Sequence, residues 1–121
     1  MPGSERSPTR GRAPRRAAGA LLALALAAPA PARAGDAAKG RARAGACAVC
    51  HGDLGMSAMA GVPNLAGQPE VYLVEQLKAY RSGKRVHEVM NVAAKGLANA
   101  EIDDLAAWYA SIAVRAEAPK R

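Results

Sequence analysis

Cys47-Ala48-Val49-Cys50-His51 is the stretch of this 121-residue chain that decides its fold and its chemistry. It places two thiols three positions apart and an imidazole directly after the second thiol. This order matches the pattern for covalent haem attachment, in which each thiol adds across one vinyl group and the histidine reaches the iron. We therefore expect one haem c, attached through Cys47 and Cys50 and ligated by His51.

Two other uses of these residues are alternatives to haem. A redox disulfide of the thioredoxin kind needs a strand leading into the motif within a βαβ unit, and the sequence offers neither. A closed zinc site needs four ligands, and His87 is the only further soft candidate beside the three residues of the motif.

The first 34 residues have the composition of an export signal. Arginines precede an apolar run rich in alanine and leucine at residues 17–28, and Ala32-Arg33-Ala34 fits a small-x-small cleavage site. The apolar run has twelve residues, whereas a membrane span needs about twenty. We expect a secretory signal peptide at residues 1–34, a single domain at residues 35–121 in the periplasm, and no stable membrane anchor after cleavage.

The composition of residues 35–121 favours a domain that needs a large apolar cofactor. The chain has no Phe, Trp108 is its only Trp, and alanine supplies much of the apolar content. A domain of this size is close to the lower limit for an unaided hydrophobic core. A buried macrocycle would supply the missing apolar volume.

The formal charge of +7 does not indicate a nucleic-acid partner. Six arginines and one acid lie in residues 1–34, so about +2 remains for the rest of the chain. No basic stripe with interleaved aromatic residues is left to favour DNA or RNA.

The periodicity of the remaining sequence predicts an all-α fold without strands. The expected elements are a first helix from an Asp36 N-cap to about Cys47, an irregular loop over residues 51–68, a helix from about Pro69 to Gly83, a short helical turn at residues 92–95, and a last helix over about residues 100–114. The last helix is capped either by Asn99 or by Glu101 in a capping box with Ala98.

The ligand on the second side of the iron decides the function. A strong sixth ligand favours electron transfer, whereas an open site permits binding or catalysis. Met90 lies 39 residues after His51, beyond a helix long enough to carry the chain around the porphyrin rim, and we expect it to be that ligand. His87 and an open site are the alternatives. Met56 and Met59 follow His51 too closely and are expected to lie in the loop or line the pocket.

Beyond these motifs, residues 36–112 resemble the class I c-type cytochromes, particularly the short bacterial members. The resemblance rests on Cys47-Ala48-Val49-Cys50-His51-Gly52, Pro63-Asn64-Leu65-Ala66-Gly67-Gln68, Tyr72-Leu73, Gln76-Leu77, Tyr80-Arg81-Ser82-Gly83, Val89-Met90-Asn91, Gly96-Leu97 and Leu105-Ala106-Ala107-Trp108-Tyr109. It implies the cytochrome c fold, with three to four short helices around one covalently bound haem. It also implies that the first and last helices cross, with Gly40 and Ala44 opposite Leu105 and either Trp108 or Tyr109.

The resemblance assigns further roles around the haem. The carbonyl of Pro63 would accept a hydrogen bond from the imidazole of His51, which fixes the ring and raises its basicity. An ordinary loop proline is the alternative. Four polar residues would either contact the haem propionates or brace loops: Gln68, Arg81, Arg85 and Asn91.

The function expected from these features is one-electron transfer by a periplasmic monohaem c-type cytochrome, without catalytic residues. Its partners would be redox proteins, such as membrane oxidase or reductase complexes or periplasmic dehydrogenases. Two alternatives are an electron-accepting subunit of a larger periplasmic oxidoreductase, and a haem sensor or peroxidase-like protein with an open sixth site.

Overall fold

The computed structural model describes residues 34–120, whose regular structure consists of five helices. They are α1 (Ala37–Arg43), α2 (Gly45–His51), α3 (Glu70–Ser82), α4 (Glu88–Lys95) and α5 (Asn99–Ala110). These residues contain no strand, so the all-α prediction is confirmed. None of the described helices combines the length and apolarity that crossing a bilayer requires. The signal peptide predicted from the sequence lies outside the described residues, apart from Ala34.

The first and last helices cross at close range because α1 presents a glycine at the crossing point. Gly40 is buried, and a β-carbon there would overlap the carbonyl of Asp104 and lie 2.8 Å from Cβ of Trp108. Trp108 is therefore the aromatic residue at the crossing. Tyr109 points into the core, where it is 3% exposed and packs with Ala44.

The first helical segment is divided, so the prediction of one helix from Asp36 to about Cys47 was wrong. The amide of Ala44 donates to the carbonyl of Arg41 at 3.2 Å, and the amide of Cys47 donates to the carbonyl of Ala44 at 3.0 Å. These tighter i to i−3 bonds interrupt the α-helical pattern. Gly45, a poor helix former, follows at once. As a result, the haem-attachment motif lies on its own short helix, α2.

Helix α3 has the predicted bounds, whereas α4 is longer than predicted. Gly83 ends α3 with a φ of 79°, the left-handed conformation that favours glycine at this position. Helix α4 starts at Glu88, four residues before the predicted turn, because Nδ1 of His87 accepts a hydrogen bond from the amide of Met90. Histidine is not a preferred N-cap residue, so the usual capping rules miss this start.

Helix α5 ends at Ala110 and not at about residue 114 as predicted. The carbonyl of Tyr109 accepts a hydrogen bond from the loop amide of Gly67 at 2.9 Å, and the hydroxyl of Ser111 donates to the carbonyl of Trp108 at 2.6 Å. These bonds satisfy helix-end carbonyls and replace a further turn. At the other end, the carboxylate of Glu101 accepts from the amide of Ala98 at 2.9 Å, which is half of the predicted capping box.

Asp36 caps α1 as predicted, and its contribution to stability depends on pH. Its carboxylate accepts from the amides of Lys39 and Ala38 at 3.1 Å and 3.0 Å. The bond from the Lys39 amide is the main cause that lowers the pKa of this carboxyl below 3.8. A lowered folded-state pKa gives stability that is present above the unfolded-state value and is lost as the pH falls through the folded-state value.

We therefore expect Asp36→Ala to be less stable than the unmutated protein at neutral pH. The gap in unfolding free energy should narrow as the pH falls below 3.8, the ordinary value for this carboxyl. Denaturant titrations at several pH values measure this gap, and Asp36→Asn is the control because it keeps a capping oxygen that does not titrate. A gap that stays constant with pH would contradict the assignment.

Candidate haem-binding site

Helix α2 brings the three residues of the attachment motif to one side of the chain. Residues three and four positions apart share a helix face, so Cys50 and His51 both lie on the same side as Cys47. Both cysteines are free thiols and partly buried. His51 is buried, with 6% of its surface exposed. A single short helix therefore presents two thiols and an imidazole together.

The imidazole of His51 is held by the loop that follows α2. Its Nδ1 lies 2.8 Å from the carbonyl oxygen of Pro63. With the proton on Nδ1, the ring donates this bond and leaves the lone pair of Nε2 free for a metal. A bond of this kind fixes the ring plane and makes Nε2 a stronger ligand.

The loop returns to this position through a glycine turn that packs on α5. Gly55 has a φ of 71°, and a β-carbon there would lie 2.7 Å from Cδ1 of Tyr109. Its carbonyl accepts from the amides of Leu65 and Ala66 at 2.7 Å and 3.1 Å. These two hydrogen bonds close the loop on itself. The closed loop carries Pro63, whose carbonyl contacts His51.

The environment of Cys47 differs from that of an activated redox cysteine. Burial raises the pKa of its thiol, although the neighbouring Tyr109 acts in the opposite direction. The pKa of Tyr109 is also raised, mainly by burial and then by Cys47. Reactive cysteines of redox disulfides have lowered pKa values. The disulfide alternative is therefore disfavoured, and the lack of strands among the described residues disfavours it further.

The zinc alternative finds no support within residues 34–120. No group of three or more histidine, cysteine, aspartate or glutamate side chains there could hold a metal ion. His87, the proposed fourth ligand, instead caps α4 through its Nδ1.

Large apolar side chains are exposed on α2, in the loop after it, and on α3 and α4. Residues 34–120 leave large apolar side chains exposed: Val49, Leu54, Met56, Met59, Val71, Tyr72, Val86, Val89, Val92 and Val114. A shallow, open depression on α4 is lined by Glu88, Val89, Val92 and Ala93. Two thiols and an oriented imidazole are together the donor set for a covalently attached haem.

The methionines differ in where the fold places them. Met90 is partly buried in the first turn of α4. Met56 and Met59 lie in the loop after α2 and are 48% and 52% exposed. The loop placement of these two agrees with the sequence prediction.

The four polar residues expected near the haem edge brace loops. Arg81 donates to the carbonyl of Leu97 and to Asn99, both at 2.7 Å. Arg85 donates to Gln76 at 2.5 Å and lies 4.7 Å from the ring centroid of Tyr80. Gln68 donates to the carbonyl of Asn64 at 3.4 Å, and Asn91 makes three hydrogen bonds that are described below.

An all-α fold with this donor set defines a protein that attaches haem covalently through a short helix. Comparison with known proteins agrees, because the model of the Cytochrome c family matches residues 37–113. The chain belongs to the cytochrome c family. It is an electron-transfer protein with haem c, rather than an enzyme.

Individual relatives differ in how much of their length the chain spans. Cytochrome c-554(548) from Halomonas halodenitrificans is 43% identical over 80 residues, which are 64% of this chain and 96% of that protein. The thiosulfate dehydrogenase electron acceptor from Thiomonas intermedia is 43% identical over 70 residues, which are 57% of this chain and 32% of that protein. The structure of cytochrome c4 from Acidithiobacillus ferrooxidans superposes with a TM-score of 0.62 at 32% identity, covering 68% of this chain and 52% of that one. The chain thus spans nearly all of cytochrome c-554(548), about a third of the thiosulfate dehydrogenase electron acceptor and about half of the cytochrome c4.

Proposed function

We propose that the protein is a periplasmic monohaem electron carrier in which His51 and Met90 would be the two protein ligands of the haem iron. Cys47 and Cys50 would attach the haem, and the domain would comprise residues 35–121 after removal of a signal peptide. The observation that carries the proposal is the buried His51 ring, oriented by Pro63 and adjacent to two free thiols. When bound, the haem supplies a centre that alternates between ferrous and ferric states.

The residues of the chain have separate roles in this proposal. His51 would bind through Nε2, and the carbonyl of Pro63 keeps its ring in one orientation by accepting a hydrogen bond from Nδ1. Met90 would supply a soft thioether, which would favour the ferrous state and raise the reduction potential. Burial of the haem against apolar side chains would exclude water, which would disfavour the extra charge of the ferric state.

A second candidate function is an electron-accepting subunit of a larger periplasmic oxidoreductase. The similarity to a protein named thiosulfate dehydrogenase electron acceptor favours this alternative. A free carrier would exchange electrons with membrane oxidase or reductase complexes or with periplasmic dehydrogenases. Gel filtration of the natively expressed protein distinguishes the two, because a subunit would elute with a second protein and a free carrier alone.

Mass spectrometry of the denatured protein tests covalent attachment and cleavage together. We expect the mass of residues 35–121 plus one haem, in protein isolated from the periplasm of a bacterium that matures c-type cytochromes. The double variant Cys47→Ala, Cys50→Ala should retain no haem after denaturation, since both thioether bonds are gone. A polypeptide mass without haem in the unmutated protein would refute the proposal.

A further inference from the structure

Helix α4, which carries Met90, contributes few residues to the buried core. Among the described helices it packs against α3 alone, and Ala94 is its only buried residue. The connection from α3 and the first residues of α4 are exposed, including Val86 and His87. Side-chain hydrogen bonds to the end of α3 add to this packing.

The side chain of Asn91 makes those contacts. Its Nδ2 donates to the carbonyl of Tyr80 at 2.6 Å and to the carbonyl of Arg85 at 2.8 Å. Its Oδ1 accepts from the amide of His87 at 2.6 Å. Three segments meet on one side chain: the last turn of α3, the connection between the helices, and the N-cap of α4. Both of its N–H donors are engaged.

Met90 lies inside the closed cap that Asn91 forms with His87. Nδ1 of His87 accepts from the amide of Met90 at 3.3 Å, while the backbone amide of Asn91 donates to the carbonyl of His87 at 2.9 Å. The bond from the amide of Met90 to Nδ1 of His87 and the bond from the amide of His87 to Oδ1 of Asn91 together resemble a capping box, with histidine and asparagine in place of the usual residues. The backbone of Met90 is thereby fixed relative to α3.

We propose that Asn91 is a positioning residue for Met90, which keeps the thioether at the iron by tying α4 to the end of α3. This inference rests on the proposed His51 and Met90 ligation. A sulfur ligand on a loosely held backbone has more conformations to lose when it binds the metal. Residues that orient a metal ligand without touching the metal change metal affinity by about 10- to 100-fold when they are replaced.

The test is competition for the iron by added imidazole in the haem-loaded ferric protein. Imidazole displaces the methionine, and the weak far-red absorption band that a methionine sulfur gives to ferric haem then disappears. We expect Asn91→Ala to raise the apparent imidazole affinity about tenfold or more. Asn91→Asp keeps the oxygen that accepts from His87 but loses both donated bonds, so its affinity should lie between those of Asn91→Ala and the unmutated protein.

Asn99→Ala is the matched control. Asn99 also joins two segments, because its side chain accepts a hydrogen bond from Arg81 at 2.7 Å, but it lies on α5 and not on α4. This variant should unfold at a lower denaturant concentration than the unmutated protein. Its imidazole affinity should stay within about twofold, since Asn99 does not hold α4. Unchanged imidazole affinity in both Asn91 variants would overturn the inference. An equal rise in Asn99→Ala would also overturn it, because general destabilisation would then be the cause.

Met90→Ala separates this inference from the proposed function. If the unmutated protein lacks the sulfur band, or if Met90→Ala binds imidazole no more tightly than the unmutated protein, the ligation by Met90 fails and the role of Asn91 fails with it. If the band and the effect of Met90→Ala are both present, the imidazole affinities of the Asn91 variants alone decide whether Asn91 positions Met90.

Discussion

Met90→Ala is expected to lower the reduction potential on the order of 100 mV or more, because a thioether stabilises the ferrous state and alanine leaves no ligand in its place. For a one-electron couple this drop corresponds to roughly a fiftyfold change in the redox equilibrium. The iron should also become accessible to carbon monoxide in the ferrous state. A potentiometric titration followed by visible absorption measures the shift.

The two loop methionines provide the matched controls for this prediction. Met56 and Met59 are about half exposed and lie in the loop that also contains Pro63. Replacing either with alanine should leave the potential and the ferric spectrum nearly unchanged. An unchanged reduction potential and ferric spectrum in Met90→Ala would contradict the assignment of Met90 as the sixth ligand.

Gly40→Val is expected to lower the free energy of unfolding by about 3 kcal/mol or more, because overpacking at a close helix crossing cannot be relieved by side-chain motion. The overlap involves the backbone carbonyl of Asp104 and Cβ of Trp108, which are not the flexible end of a side chain. Since small domains are stable by only about 5–15 kcal/mol, the yield of haem-loaded protein should also fall. Denaturant unfolding of the haem-loaded protein measures the loss.

Gly45→Ala is the control for Gly40→Val. A β-carbon at residue 45 meets no atom within 4 Å, and the residue begins α2. Alanine is the better helix former by about 1 kcal/mol, so this variant should be as stable as the unmutated protein or slightly more stable. If Gly40→Val were as well tolerated as Gly45→Ala, the close crossing of α1 and α5 would be wrong.

The parts of the fold that could be predicted from the sequence are those with local signals. The helical periodicity and the final Gly83 set the bounds of α3, and Asp36 marks the start of α1. The start of α4 could not be predicted, because His87 is an unusual cap and its partner Asn91 acts through three-dimensional contacts with α3. Short-range rules do not contain that information.

The packing of the aromatic residues of α5 could not be predicted from the sequence either. Trp108 and Tyr109 are neighbours on α5, and either could face α1 by periodicity alone. The crossing is decided by backbone approach at Gly40, which places Trp108 there and leaves Tyr109 against Gly55 and Cys47. These choices depend on long-range contacts, whereas the attachment motif is local and could be recognised from five consecutive residues.

The sixth ligand of the iron is predicted from ligand chemistry, because helix packing does not distinguish His87 from Met90. His87 and Met90 both lie at the start of α4. The ring of His87 is engaged by the Met90 amide and lies edge-on to Tyr80, with ring centroids 6.3 Å apart. Met90 has no such role for its sulfur, which favours it as the sixth ligand.

The visible absorption spectrum of the purified haem-loaded protein tests the central claim most directly. A His51 and Met90 site predicts a low-spin ferric spectrum with the weak far-red sulfur band, a low-spin ferrous spectrum, and no rapid binding of carbon monoxide. A high-spin ferric spectrum without that band, or rapid carbon monoxide binding by the ferrous protein, would contradict the account.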